Sequence, residues 1–319
     1  MDAPREVGVG EARYRLGELL GSGATGAVYA GTAPDGQHVA VKLLHDYLTE
    51  IPEMVARFRR EADLASKIES DHVAPVLAAG RTEEKVYWIA YKRLFGETLD
   101  VSLRRERVFR ADRARAVIEH VLLGLQPAHV AGVVHRDIKP ANVFLERHGD
   151  GTRACILDFG ASKYRPPSGA MTSQHLTTAR ETLGTINYMP PEQFSGAARV
   201  DARADLYAVG VVGFKLLTGT LPFLAGSRGA VMQAKTKGRP LSLREVTDAA
   251  WPEKLEGFFR CALARAPEER FASAGAMLNA WRDAVAAADG SSVDVLRRRL
   301  AGSQDTDDTV IEPSPEGTL

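Results

Sequence analysis

The spacing of apolar residues changes twice along the chain. Between residues 13 and 91 they alternate with polar ones in short runs, YRLGELLGSG and AVYAGTAPDGQHVAVKLL. Alternation of this kind in β-forming residues predicts strands with one buried face. The tetrapeptide APDG between the halves of the second run predicts a hairpin turn. One interval departs from the pattern. In PEMVARFRREADLASKIE the residues Met54, Val55, Phe58, Ala62, Ala65 and Ile68 recur every three or four positions behind Pro52, which predicts a helix. VAPVLAAGRTEEKVYWIAY then returns to two strands around a charged turn.

Beyond Gly96 the period lengthens. LDVSLRRERV and ADRARAVIEHVLLGLQPAHVAG are helical, the second closing at Gly132. A hairpin, NVFLERHGDGTRACILDFG, interrupts with HGDG as its turn. Residues 164–182 are polar and loop-like, and after Gln193 helices resume to about residue 288. The run LYAVGVVGFKLL is apolar around most of its circumference, as a helix inside a domain should be. The pattern predicts an α+β fold with two lobes. A small β-rich N-lobe with one main helix spans about 13–93, and a larger, mainly helical C-lobe spans about 94–285. Residues 1–12 read as an extension and 286–319 as a mostly disordered tail. No internal repeat is present.

Composition narrows the function only by exclusion. Lys plus Arg and Asp plus Glu both total 41, so the net charge is zero and a nucleic-acid partner has no general basis. Cys155 and Cys261 show no metal-ligand spacing and read as reduced core thiols. The N-terminus lacks an apolar signal core, and LYAVGVVGFKLL is too short to span a bilayer and contains Lys215. The expected location is cytoplasmic.

Chemistry enters at GSGATGAVYAG, whose Gly21, Ser22, Gly23 and Gly26 form a G-x-G-x-x-G loop. A dinucleotide site would lead from such a loop into a helix. Here Ala27, Val28, Tyr29 and Ala30 form a strand, and Val39-Ala40-Val41-Lys42 follows after a turn. Strand, glycine loop and strand with a lysine resemble a protein kinase. The segment HRDIKPAN, residues 135–142, carries the resemblance furthest, matching the catalytic loop of that family. Asp158-Phe159-Gly160 follows sixteen residues after Asn142, and GTINYMPPE, residues 184–192, resembles the substrate-docking loop. Over residues 14–283 the chain is similar to eukaryotic-like (Hanks-type) serine/threonine protein kinases of bacterial type, judging from RFRREADLA and HRDIKPAN.

That resemblance implies the bilobal protein kinase fold and transfer of the ATP γ-phosphoryl to protein Ser/Thr hydroxyls. Asp137 would orient the acceptor hydroxyl and take its proton, while Lys139 would stabilise the γ-phosphate. Asn142 and Asp158 would hold Mg²⁺, or Mn²⁺. Lys42 would reach the α/β-phosphates, held by a carboxylate; Glu61 fits better than Glu53 or Glu69 at the ends of the helix. Val28 and Ala40 would cover adenine from above and Phe144 from below. Tyr91 falls at the gatekeeper position, leaving only a small pocket behind adenine, with Lys92 to Leu94 as the hinge. Thr185 would bond Asp137 and Lys139 and select Ser/Thr acceptors. Asp205 would brace the catalytic loop, and Glu192 would pair with Arg270. Departures from the pattern are Lys92, Arg93, Pro190 for the usual Ala, and Ala266 before Pro267.

Regulation is expected at Thr172, Ser173, Thr177, Thr178 and Thr182 by autophosphorylation, centred on Thr177 and Thr178 and read by Arg136. A homodimer would serve that reaction in trans. The tail's Thr306 and Thr309 are expected sites for a phosphothreonine-binding (FHA-type) partner. A catalytically silent scaffold and a small-molecule phosphotransferase remain as other classes. Intact Lys42, Asp137, Asn142 and Asp158 argue against the first, and the GTINYMPPE loop against the second.

Overall fold

The computed structural model describes residues 6–9, 12–159, 184–194 and 200–286. Its N-terminal part contains β1 (Glu6–Val9), β2 (Ala12–Ser22), β3 (Gly26–Thr32), β4 (His38–Leu44), α1 (Asp46–Thr49), α2 (Pro52–Ala65), β5 (Val76–Arg81) and β6 (Tyr87–Lys92). The strands form one antiparallel sheet in the order β1-β2-β3-β4-β6-β5. Alternation along β4 sorts the two faces. Val39, Val41 and Leu43 pack with Val7, Tyr14, Trp88 and Ala90 on one side. On the other, Leu44, Ile89 and Tyr91 meet Met54, Phe58 and Ala62 of α2. The register pairs Val28 with Lys42 and Ala40 with Tyr91, so these four residues share the α2 face.

Two expectations need correction here. Residues 6–9 form a strand of this sheet rather than an extension outside it: Val7 pairs with Tyr14 and is buried. A run as short as EVGV is too brief to display alternation. The main helix ends at Ala65, and Ile68 is buried in the turn that follows.

The C-terminal part begins with β7 (Gly96–Thr98), α3 (Leu99–Glu106) and α4 (Ala111–Val130). A hairpin of β8 (Val143–His148) and β9 (Gly151–Ile156) pairs with β7. It continues with α5 (Pro191–Phe194), α6 (Arg203–Thr218), α7 (Arg228–Lys237), α8 (Leu243–Thr247), α9 (Glu253–Ala262) and α10 (Ala274–Ala286). In α6, the predicted internal helix, every residue but Arg203 and Lys215 is buried. It ends at Gly219 in the left-handed conformation. One core joins Leu122 and Leu125 of α4, Leu206 and Phe214 of α6 and Trp281 of α10. Cys155 is buried as expected, whereas Cys261 is only partly buried, and both are free thiols. No helix among the described residues is long and apolar enough to cross a membrane.

Candidate active site

Lys42 stands at the centre of a polar cluster on the α2 face of the sheet, in which Glu61 is buried and Asp158 partly exposed. Its Nζ donates to Glu61 Oε1 at 2.7 Å and to Asp158 Oδ1 at 3.0 Å. Glu61 is thus the partner, reached from the middle of α2. The same Oε1 accepts the Tyr91 hydroxyl at 2.7 Å, a bond that no local motif announces. Burial alone would strip the charge from Lys42, but Asp158 and Glu61 outweigh it and hold its pKa above the ordinary value. Asp158 lies below its ordinary value because Lys42 overcomes the effect of burial. Burial raises Glu61 against the pull of Lys42, and burial followed by the Glu61 charge raises Tyr91.

The glycine loop lies between β2 and β3. A Cβ on Gly26 would sit 2.0 Å from the Leu43 carbonyl oxygen, so β3–β4 pairing itself requires glycine there; Gly21 and Gly23 face open space. Side chains just after β4 fasten the tip. His45 Nε2 lies 2.9 Å from the Gly23 carbonyl oxygen, and the Tyr47 hydroxyl donates to Ala24 O at 3.2 Å.

The HRDIKPAN loop takes its shape from α6. Buried Asp205 accepts the backbone N–H of His135 at 2.8 Å and of Arg136 at 2.6 Å, with His129 Nε2 at 2.9 Å. This holds Arg136 at φ 65°, outside the region most side chains prefer. Its guanidinium donates through Nη2 to Val200 O, while Nε is buried without a partner among the described residues. The His135 ring accepts from Asp137 N–H at Nδ1, which puts its proton on Nε2, donating to Leu157 O at 2.8 Å. Phe159 is buried edge-on against that ring, 4.8 Å between centroids. Its core also includes Ala65, the last residue of α2.

Lys139 joins the catalytic and docking loops: its Nζ donates to Asp137 Oδ2 at 2.9 Å and to Thr185 Oγ1 at 3.0 Å. The expected direct bond from Thr185 to Asp137 is absent among the described residues, because Lys139 stands between them. Arg270, fully buried, donates to both Glu192 oxygens at 2.7 and 2.8 Å and to the carbonyls of Ala264 and Arg265. Lys235 of α7, absent from the sequence reading, is buried and donates to the carbonyls of Ile186, Asn187 and Met189 at 3.2, 2.6 and 2.8 Å. Burial, with Arg270 nearby, pushes it down to about 7.

A cavity of about 710 Å³ connects these parts, lined by Gly23, Lys42, Glu61, Asp137, Lys139, Asn142, Asp158 and Thr185 among others. Arg57 of α2, also missed, lines it facing Glu61, Asp137 and Asp158. The residues expected around adenine lie on adjoining elements. Val28 and Ala40 share the face of Lys42, Leu94 packs with Ala40 and Tyr91, Lys92 is exposed, and Phe144 is partly buried on β8. None of these five lines the cavity itself.

The donor set fits a hard divalent cation. Asn142 Nδ2 donates to Asp137 O at 2.8 Å and to its Oδ2 at 3.0 Å, so Oδ1 is its atom left for a metal. Asp158 offers the carboxylate oxygen that Lys42 does not take. No group of three or more His, Cys, Asp or Glu that could hold a metal by itself occurs among the described residues. Two oxygens suit an ion completed by phosphate oxygens and water.

Family comparison gives the site its context. The protein kinase domain family matches residues 14–282, nearly the whole of the described fold. The chain belongs to the protein kinase family. It is 38% identical over 287 residues to the serine/threonine-protein kinase Pkn1 of Myxococcus xanthus, covering 88% of this chain and 39% of that one. It is 32% identical over 292 residues to PknH of Mycobacterium tuberculosis, covering 89% and 44%. The kinase domain of PknI from Mycobacterium tuberculosis superposes with a TM-score of 0.64 at 27% identity, covering 85% of this chain and 95% of that one. The kinase chain spans about half or less of the length of these curated relatives. Kinases of this family use ATP with a divalent cation. Gly160, Thr172, Ser173, Thr177, Thr178, Thr182, Thr306 and Thr309 lie outside the described residues.

Proposed function

We propose that this chain is an ATP-dependent protein serine/threonine kinase, with residues 13–285 as its catalytic domain, acting in the cytoplasm. The observation that carries the reading is Lys139, which reaches the Asp137 carboxylate and the Thr185 hydroxyl across one cavity. A base, a cation and a polypeptide-docking loop meet there, while Lys42 and Glu61 line the same space. The names of the relatives support Ser/Thr as the acceptor.

In this reading the acceptor oxygen attacks the γ-phosphorus, the bond to the β–γ bridging oxygen breaks, and ADP leaves. Asp137 orients the hydroxyl and receives its proton. Lys139 offsets charge on the transferred group, and Lys42, steadied by Glu61, holds the phosphates of the leaving part. Asn142 and Asp158 would hold Mg²⁺, or Mn²⁺, which would supply electrostatic neutralisation of the phosphate oxygens. Autophosphorylation of the segment containing Thr177 and Thr178, in trans within a homodimer, belongs to the same proposal. The Nε of Arg136, buried and without a partner among the described residues, supports a phosphate arriving there. Phosphorylated Thr306 and Thr309 would recruit an FHA-type partner.

Incubation with labelled ATP of this chain and of Asp137→Asn, followed by phosphosite mapping, tests the reading. Label in the parent chain and a loss of at least a hundredfold in the variant is expected. Equal labelling of both would remove Asp137 from its role, and no transfer with either metal would favour a scaffold.

A further inference from the structure

Besides the residues that face phosphate and metal, the cavity is lined by Asp100 and Arg104 of α3, Tyr188 of the docking loop and Lys215 of α6. Lys215 is the anomaly among them. It sits near the end of a helix whose other residues from Ala204 to Thr218 are all buried. Its ammonium has one hydrogen-bond acceptor among the described residues, the Tyr188 hydroxyl oxygen at 3.2 Å, and lies 5.9 Å from that ring's centre. A neutral phenol cannot balance a charge. Tyr188 stays neutral, since burial and then the Asp100 charge raise its pKa.

The nearest acid is already engaged. Asp100 pairs with Arg104 at 2.8 Å, one turn away on the same helix. The three side chains together carry one excess positive charge, on Lys215. Burial lowers the Lys215 pKa, Asp100 opposes that and Arg104 reinforces it. The other cavity cations differ: Lys42 and Lys139 bond carboxylates, and Arg57 faces three of them. Lys215 is also close to the acceptor position along the docking loop. Tyr188 N–H donates to Thr185 O at 3.1 Å, and the Thr185 side chain bonds Lys139 beside Asp137.

A partly desolvated ammonium with unused N–H groups, aimed into a substrate cavity, is complemented by an anion. We propose that Lys215 is a specificity-determining residue, selecting polypeptides that carry a carboxylate or phosphate group close to the acceptor hydroxyl and disfavouring Arg or Lys there. This rests on the kinase reading. An acidic residue and a previously phosphorylated one offer the same chemistry and are separated by the test.

The experiment is a positional-scanning peptide library with a single Ser or Thr acceptor, phosphorylated by the full chain. Each flanking position is substituted in turn by Ala, Arg, Asp and phosphothreonine. At one or more positions the anionic peptides should exceed the Arg peptide by roughly tenfold in kcat/KM. Lys215→Arg should keep the preference, Lys215→Met flatten it and Lys215→Glu invert it, through the peptide KM with the KM for ATP little changed. Preference for phosphothreonine alone would identify primed substrates; preference for both would identify acidic ones. An unchanged profile in folded Lys215→Met and Lys215→Glu, or a wild-type preference for Arg, overturns the proposal. Absence of transfer to every peptide would instead count against the kinase reading.

Discussion

Replacing Tyr91 by Phe removes one oxygen and tests whether the hydroxyl holds the Lys42–Glu61 pair in place. That hydroxyl donates to Glu61 Oε1 at 2.7 Å, at an oxygen that Lys42 also occupies at 2.7 Å. A hydrogen bond to a charged acceptor contributes about 1.5–3 kcal/mol. Glu61 keeps Lys42 in the variant, so no bare charge is left and the lower end applies. The expected loss in unfolding free energy is about 1.5 kcal/mol, read as a shift in the urea midpoint with unchanged slope. If the bond also positions Glu61, kcat/KM for ATP should fall about threefold to tenfold. The Tyr91 bond favours ionised Glu61, so its loss should raise the Glu61 pKa and move the acid limb of the pH–rate profile upward. The effect should shrink in a Glu61→Gln background, where the acceptor is neutral. A change below about 0.3 kcal/mol with ATP kinetics intact would refute the argument.

Two further outcomes follow from buried cations. Arg270→Met leaves Glu192 and the Ala264 and Arg265 carbonyls without their donor. It should cost about 3–5 kcal/mol in chemical denaturation; a loss under about 1 kcal/mol would contradict that role. Burial, reinforced by Arg270 and opposed by Glu192, pushes Lys235 from 10.5 when free down to about 7 when folded. Between those values the unfolded chain binds more protons, so this group makes stability rise with pH, by about 1.4 kcal/mol per unit. The wild-type advantage over Lys235→Met should therefore grow by roughly 2–3 kcal/mol from pH 7 to 9, and parallel pH profiles would refute it.

What the sequence disclosed depended on how local each signal was. The hairpin around APDG, the face of α2 and the buried α6 follow from neighbouring residues, and the structure contains all three. The pairings Lys42–Glu61 and Glu192–Arg270 are distant in sequence but sit in motifs with fixed spacing. Tyr91–Glu61 and Lys235 with the docking-loop carbonyls are equally distant and belong to no motif. Lys235, one of two lysines in QAKTKGRP, reads as surface until the fold buries it. β7, GET, is too short for any period to appear.

The small strand β1 has a consequence for how the chain can be cut. It pairs with the four β2 residues from Ala12 to Arg15 and buries Val7. The family match begins only at residue 14. A chain trimmed to that residue would keep every group assigned to phosphate transfer yet lose β1 together with Ala12 and Arg13, half of the β2 residues that β1 pairs with. Trimming there would also remove Val7 from the cluster it shares with Tyr14, Val39 and Trp88, so the residues ahead of the recognised domain help to seal that side of its sheet, and their loss should appear first as a lower melting temperature.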